Sequence, residues 1–154
     1  MIKRAVRNVW RLISPSTRAK LVRATQDQFT VSTAAIVIND KNEILLLNHV
    51  LRPNSGWGFP GGFVEHGEAI EDAIRREANE ETGIELENLQ LLEINTFKRH
   101  VEILWTANSK GNPQVQSAEI LELGWFSLLE ITPLIGRNQI RQVQSAIKGR
   151  EKSD

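Results

Sequence analysis

Residues 62–84 read GFVEHGEAIEDAIRREANEETGI. Ile70, Ile74 and Ala78 recur at helical spacing and form one apolar stripe, which predicts a helix over 69–81 that packs on a sheet. Gly83 stands where a helix ends most easily, at a left-handed C′ residue. Glu77, Glu80 and Glu81 occupy i, i+3 and i+4, so three carboxylates meet on one face. Like charges so spaced repel by roughly a few tenths of a kcal/mol per pair in water, and by far more on a dry face. Three glutamates alone describe a solvated acidic surface, but the neighbours argue for more. Gly61-Gly62 let a backbone carbonyl approach a cation. Glu68 stands at the helix start, favourable against the helix dipole, and Arg76 can pair with one of the glutamates.

The rest of the chain is consistent with a cation site. Its 154 residues suit about one domain, and 40% hydrophobic with 25% charged residues is ordinary globular composition. A collagen-like, coiled-coil or wholly disordered chain is excluded. The absence of cysteine excludes disulfides, Cys-ligated zinc, Fe–S clusters and thiol catalysis. With three histidines, a metal site must rest mainly on carboxylates, which favours Mg²⁺, Mn²⁺ or Ca²⁺. Net charge is zero but lopsided: residues 1–24 carry seven cations and no acid, while Gly62–Glu87 holds nine acids against Arg75 and Arg76. No run approaches the roughly 18 apolar residues of a membrane span, and no secretory leader is read at the start. A cytoplasmic location is expected, although the basic, acid-free first segment shares the character of organellar transit peptides.

Residues 2–13 place Ile2, Val6, Val9, Trp10 and Ile13 at helical spacing among cations. Ser14-Pro15 breaks that helix, and Ser16 is expected to cap a second one reaching about Val22. Thr30–Ile38 and Glu43–Leu47 read as strands of a hairpin around Asp40-Lys41-Asn42. Residues 51–62 form a Gly- and Pro-rich loop with a short strand at Trp57–Phe59. Further strands are expected at Leu89–Asn95, Val101–Ala107 and Ile120–Phe126, and helices at Leu128–Leu134 and Asn138–Ile147. The fold class is α/β or α+β in one layered domain. Its boundaries are a basic helical arm at 1–26 and a main domain at 27–154.

Gly62, five residues, Glu68, seven residues, Arg76-Glu77-Ala78, one residue, Glu80-Glu81, one residue, Gly83-Ile84 resembles a complete Nudix box. Ala78 departs from the bulkier aliphatic residue usual there. Weaker resemblance runs from about Phe29 to Leu134 and includes the Phe59-Pro60-Gly61-Gly62 lead-in. The resemblance implies an α/β/α sandwich around a mixed sheet and Mg²⁺- or Mn²⁺-dependent hydrolysis of a nucleoside diphosphate linked to another group, with two or three ions. It implies a catalytic set of Glu77, Glu80, Glu81 and Arg76. Glu80 and Glu81 would be the principal metal ligands, Glu77 a further ligand or the residue that orients the attacking water, and Gly61 a carbonyl ligand. Gly62, Glu68 and Gly83 would be structural, and Arg76 would hold the glutamates in place. Glu119, before Trp125, stands where such proteins add a distant carboxylate, with Glu122 as its competitor. The chemistry suits these residue types. Divalent ions neutralise a diphosphate and activate water, carboxylates are their hard ligands, and a nearby carboxylate accepts the proton.

Around this box, Arg52 can grip a phosphate through its fork of donors, and Asn54 shares its loop. Trp57 or Phe59 can stack on a base, although a Phe in a short strand usually faces the core. Lys98 and Arg99, beside His100 at an expected turn, are candidates for a distal phosphate, and His66 reads as a surface residue. The marks of the ADP-ribose, diadenosine-polyphosphate and RNA pyrophosphohydrolase subgroups are missing, as are the NADH and coenzyme A signatures. A MutT-like enzyme acting on a nucleoside triphosphate, a nucleotide sugar or a similar small molecule is what remains. Its rivals are a non-catalytic nucleotide-sensing Nudix module and an RNA 5′-end pyrophosphohydrolase that uses the arm. For the arm itself, the plain expectation buries Val6, Val9, Trp10 and Ile13 against the domain or a dimer mate. A basic helix on an anionic membrane and a contact with nucleic acid are the other readings, with nucleic acid the less favoured partner.

Overall fold

A computed structural model describes residues 2–52 and 56–150. Asn54 lies outside them. In chain order the elements are α1 (Ile2–Leu12), α2 (Pro15–Thr25), β1 (Thr30–Val37), β2 (Ile44–His49), β3 (Trp57–Gly58), β4 (Gly61–Phe63), α3 (Ile70–Thr82), β5 (Glu85–Phe97), β6 (His100–Lys110), β7 (Ile120–Phe126), α4 (Leu128–Ile131) and α5 (Arg137–Arg150).

Two sheets carry the domain. The larger is mixed, in the order β4-β1-β6-β5, with β1 and β6 parallel and the other pairs antiparallel. The smaller is antiparallel, in the order β3-β2-β7. Alternate residues of β1 and β2 feed two separate cores. Ala35, Val37, Leu45 and Leu47 meet Ile74, Ala78 and Ile84 from the α3 side, together with Trp105. Ile36, Ile44 and Leu46 meet Phe59, Ile131 and Val143 under α4 and α5. This gives the expected α/β/α sandwich. Burial on both faces explains why these two strands read as unbroken apolar runs.

The same double burial corrects the expected hairpin. β1 and β2 belong to different sheets, share both cores, and among the described residues pair only at an isolated bridge between Ile38 and Ile44. The turn between them is present, built by Asn39, whose Oδ1 accepts the backbone N–H of Lys41 and Glu43 at 2.9 and 3.0 Å. β5 begins at Glu85 rather than Leu89, and register shifts near Glu87 and Leu91 let its irregular pattern stay paired with β6.

The arm also departs from expectation. Ser14, not Ser16, caps α2, its Oγ accepting the Thr17 N–H at 3.2 Å with Pro15 following at N1. The helix runs on to Thr25. Val6, Val9, Trp10 and Leu12 are exposed, and α2 has no buried residue. α3 covers one side of the sheets and α4 with α5 the other, and the apolar residues of the arm join neither core. Among the described residues no helix is long and apolar enough to cross a membrane.

Candidate active site on helix α3

The loop into α3 approaches β1 closely. Gly61 pairs with Ala34 in the register of β4 on β1 and has φ +148°, and a Cβ there would lie 2.2 Å from the Thr33 carbonyl oxygen. Only glycine fits. Its amide donates to Glu81 Oε2 at 2.9 Å. Gly62 is confined by a side chain instead, because a Cβ would fall within 2.3–2.7 Å of the Glu77 carboxylate and push it aside. Gly83, left-handed with φ +72°, ends the helix just past Glu81. The sheet edge and the helix therefore fix the two inner glutamates between them.

Arg76 is the hub of the acidic face. Its Nε and Nη2 donate to the two oxygens of Glu68 at 2.9 and 3.1 Å. Nη2 also reaches the Phe63 carbonyl at 3.2 Å. Nη1 donates to Glu77 Oε1 at 2.9 Å and to Glu80 Oε2 at 3.2 Å. One guanidinium thus gathers three carboxylates. These bonds hold Glu68 below the usual carboxylate range and Arg76 firmly charged, the Glu68 bond being the largest cause for Arg76. Glu77 and Glu80 each commit one oxygen to Arg76 and keep the second free of it.

Glu81 differs from its neighbours. It is 6% exposed, and burial pushes its carboxyl up to about 7 against the Gly61 hydrogen bond, with Glu77 adding to the rise. Burial likewise raises Glu77 above the ordinary carboxylate value, opposed by Arg76. Glu119 lies near enough to both to raise them further. Its placement follows from the chain before β7, which lies along the end of α3. Gln114 N–H donates to the Thr82 carbonyl at 2.9 Å and Gln116 N–H to that of Glu81 at 3.1 Å. The Glu119 carbonyl then receives Val50 N–H at 2.8 Å. Glu122 is engaged elsewhere, accepting from Asn48 Nδ2 at 3.0 Å. The structure therefore brings Glu68, Arg76, Glu77, Glu80, Glu81 and Glu119 together and leaves Glu122 aside.

The pocket residues divide. Arg52 comes from the β2–β3 loop and faces Glu81 and Glu102. Its guanidinium fills the notch at Gly58, where a Cβ would lie 1.1 Å from Nη1. That Nη1 is buried without a hydrogen-bond partner, a donor in want of an acceptor. Trp57 is half-buried, edge-on to Phe126 at 5.2 Å. Phe59 corrects the expectation: at 3% exposure it is core, not a platform for a base. Lys98 and Arg99 sit at the β5–β6 turn, Lys98 Nζ over the Phe97 ring at 5.3 Å and Arg99 bonded to Asp27 at 2.9 Å. None of their bonds reaches the glutamates.

His49 is the residue that sequence reasoning missed. It ends β2 with Nδ1 3.6 Å from Glu81 Oε1 and Nε2 buried without a partner. Burial, and then Arg52, push it down to about 4, so it is neutral at ordinary pH. The signal was present: period two carries Leu45 and Leu47 inward, and His49 is next on that face.

The comparisons agree with this geometry. The NUDIX domain profile matches residues 28–145. The NAD-capped RNA hydrolase NudC of Haemophilus influenzae (strain PittGG) is 34% identical over 131 residues, 77% of this chain and 50% of that protein. The 8-oxo-dGDP phosphatase NUDT18 of Mus musculus is 28% identical over 121 residues, 74% of this chain and 38% of its own length. This chain spans about half the length of the first curated relatives it matches. A MutT NUDIX hydrolase from Burkholderia pseudomallei superposes with TM-score 0.67 at 30% identity, over 77% of this chain and 98% of that one. With this profile, this fold and the gathered glutamates of α3, the chain belongs to the Nudix family of hydrolases.

Proposed function

We propose that the chain hydrolyses a diphosphate bond in a nucleoside diphosphate linked to another moiety, such as a nucleoside triphosphate or a nucleotide sugar, with Mg²⁺ or Mn²⁺. Residues 27–154 form the catalytic domain in this reading and 1–26 an appended arm, in a cytoplasmic setting. The observation that carries it is Glu81, a carboxylate buried between Gly61 and His49 with Glu77 and Glu119 close by. Burial holds Glu77 and Glu81 back from ionising, and a nearby cation would reverse that.

The donors fit a hard divalent ion. All are oxygens, and Glu77 and Glu80 each offer one free of Arg76. Among the described residues no three such groups form a ready-made cage, since Arg76 holds two of them. Glu77, Glu80, Glu81 and Glu119 would hold the metal, with Gly61 at hand. When bound, such an ion neutralises phosphate charge and lowers the pKa of a bound water. The chain supplies the rest. Glu77 is a further ligand or, with the oxygen free of Arg76, the residue that would orient the attacking water and take its proton. Arg76 and Glu68 keep the glutamates aligned. Arg52 offers its unpartnered Nη1 to a phosphate oxygen, and the Trp57 indole lies where a base can pack.

The test is phosphate release across nucleoside triphosphates, oxidised dNTPs, ADP-ribose, nucleotide sugars, dinucleoside polyphosphates, and 5′-triphosphate and NAD-capped RNA. One small-molecule class should dominate, and Glu80→Gln should abolish turnover with the fold intact. Turnover of RNA alone would replace this reading with RNA 5′-end hydrolysis. Nucleotide binding without turnover would replace it with a sensing module.

A further inference from the structure

Helix α1 segregates its residues by chemistry. At about 100° per residue, Val6, Val9, Trp10 and Leu12 fall within an arc of roughly 160°. Lys3, Arg4, Arg7, Asn8 and Arg11 fill the opposite arc, and Trp10 lies at the border beside Lys3. The apolar arc has no cover: Val6 is 62%, Val9 60% and Leu12 87% exposed. α2 continues the surface with exposed Leu21 and Val22 among Arg18, Lys20 and Arg23. Between the helices Trp10, Pro15, Ala19 and Val22 line an open apolar notch flanked by Arg18 and Arg23. Arg18 Nε is out of water there and without a partner.

We infer that this arm docks flat on an anionic phospholipid bilayer. The occupant must meet two demands at once. It must be polyanionic, because residues 1–24 carry seven cations and no acid. It must also be apolar a few ångströms below its charged surface, because the arm's apolar arc needs depth to be buried. A nucleic acid meets only the first demand. An anionic bilayer meets both, taking the apolar arc about 5–10 Å into the headgroup boundary while cations stay at the phosphates. Trp10, between the two arcs, takes the level indoles prefer, and lipid phosphate supplies the acceptor Arg18 Nε lacks. Two short helices lie on the surface and do not span it.

The experiment is cosedimentation of the full chain with vesicles of phosphatidylcholine alone, or with about 30% phosphatidylserine, at low salt. Binding should favour phosphatidylserine at least about tenfold, weaken with salt, and bring brominated acyl chains close enough to quench Trp10. Trp10→Phe should lose that quenching. Val6→Asp with Val9→Asp should lose vesicle binding while circular dichroism and the unfolding midpoint stay unchanged, since both side chains are exposed. Equal binding to the two vesicles overturns the inference. So does wild-type binding by the double variant, which would leave charge alone at work. RNA-oligonucleotide binding without vesicle binding also overturns it, as does a dimer that depends on Val6 and Val9.

Discussion

Glu81 ionises at about 7 in the folded protein rather than at 4.5, with burial as the main cause. At about 1.4 kcal/mol per pH unit, charging it in the folded state costs about 3 kcal/mol at pH 8. The sign follows from proton counting. Between about 4.5 and 7 the folded chain holds a proton that the unfolded chain has released, so this group makes stability fall as pH rises through that window. Its contribution is intact below 4.5. Glu81→Gln removes the cost and keeps an amide oxygen for the Gly61 N–H, whose help to the charged form is already contained in that figure. The metal-free variant should therefore be about 3 kcal/mol more stable than wild type at pH 8, and within a few tenths of it at pH 4. Urea unfolding in a chelator reads this directly, as a midpoint shift of about 1.5 M at pH 8. A variant less stable than wild type at pH 8, or an equal difference at both pH values, would refute the reasoning. Turnover should vanish in the same variant, which would trade the cost of a site for stability.

Three further outcomes follow from close contacts. Gly62→Ala places a methyl against the Glu77 carboxylate. Turnover should fall about 10²-fold with circular dichroism unchanged, and retained activity would remove Glu77 from the mechanism. Gly58→Ala evicts the Arg52 guanidinium from its notch, so KM should rise about tenfold with kcat within about twofold; a kcat effect alone would contradict a binding role. Thr33→Val strands the buried Trp105 Nε1–H, which donates to Thr33 Oγ1 at 2.8 Å. It should cost about 1–3 kcal/mol in chemical denaturation.

How much was readable depended on whether a residue's neighbours were local. α3 was legible because Ile74 and Ala78 mark its buried side within a single helix and Gly83 marks its end, while Ile70, the first residue of the expected stripe, is 39% exposed. β7 matched its expected span because turns bound it. The splitting of β1 and β2 was not legible, since an unbroken apolar run is compatible with either sheet and its partners lie far along the chain. The Arg76 pairing with Glu77 was local, but its stronger hold on Glu68 crosses a loop. The arm failed for a different reason: amphipathy says that a helix has an apolar side, not what covers it. Phe59 and Arg52 show the same limit, because core or pocket is decided by the opposing surface.

The two sheets divide the labour of the site. Glu77, Glu80 and Glu81 are set by α3 and by Gly61 and Gly62 against β1, all tied to the larger sheet, while Glu119 precedes β7 of the smaller one. His49, Arg52 and Trp57 come from β2, β3 and the loop between them, all tied to the smaller one. Residues 51–56 can thus change in length or content while Val50 keeps its hold on Glu119 and the register of β4 on β1, and with it the α3 carboxylates, stays put. On the proposed reading, an engineer retargeting the protein has a separable handle, with ligand preference set in one replaceable loop and reactivity in another module. Natural drift has the same freedom, so relatives that share the acidic helix can diverge in what they accept without first losing the ability to react.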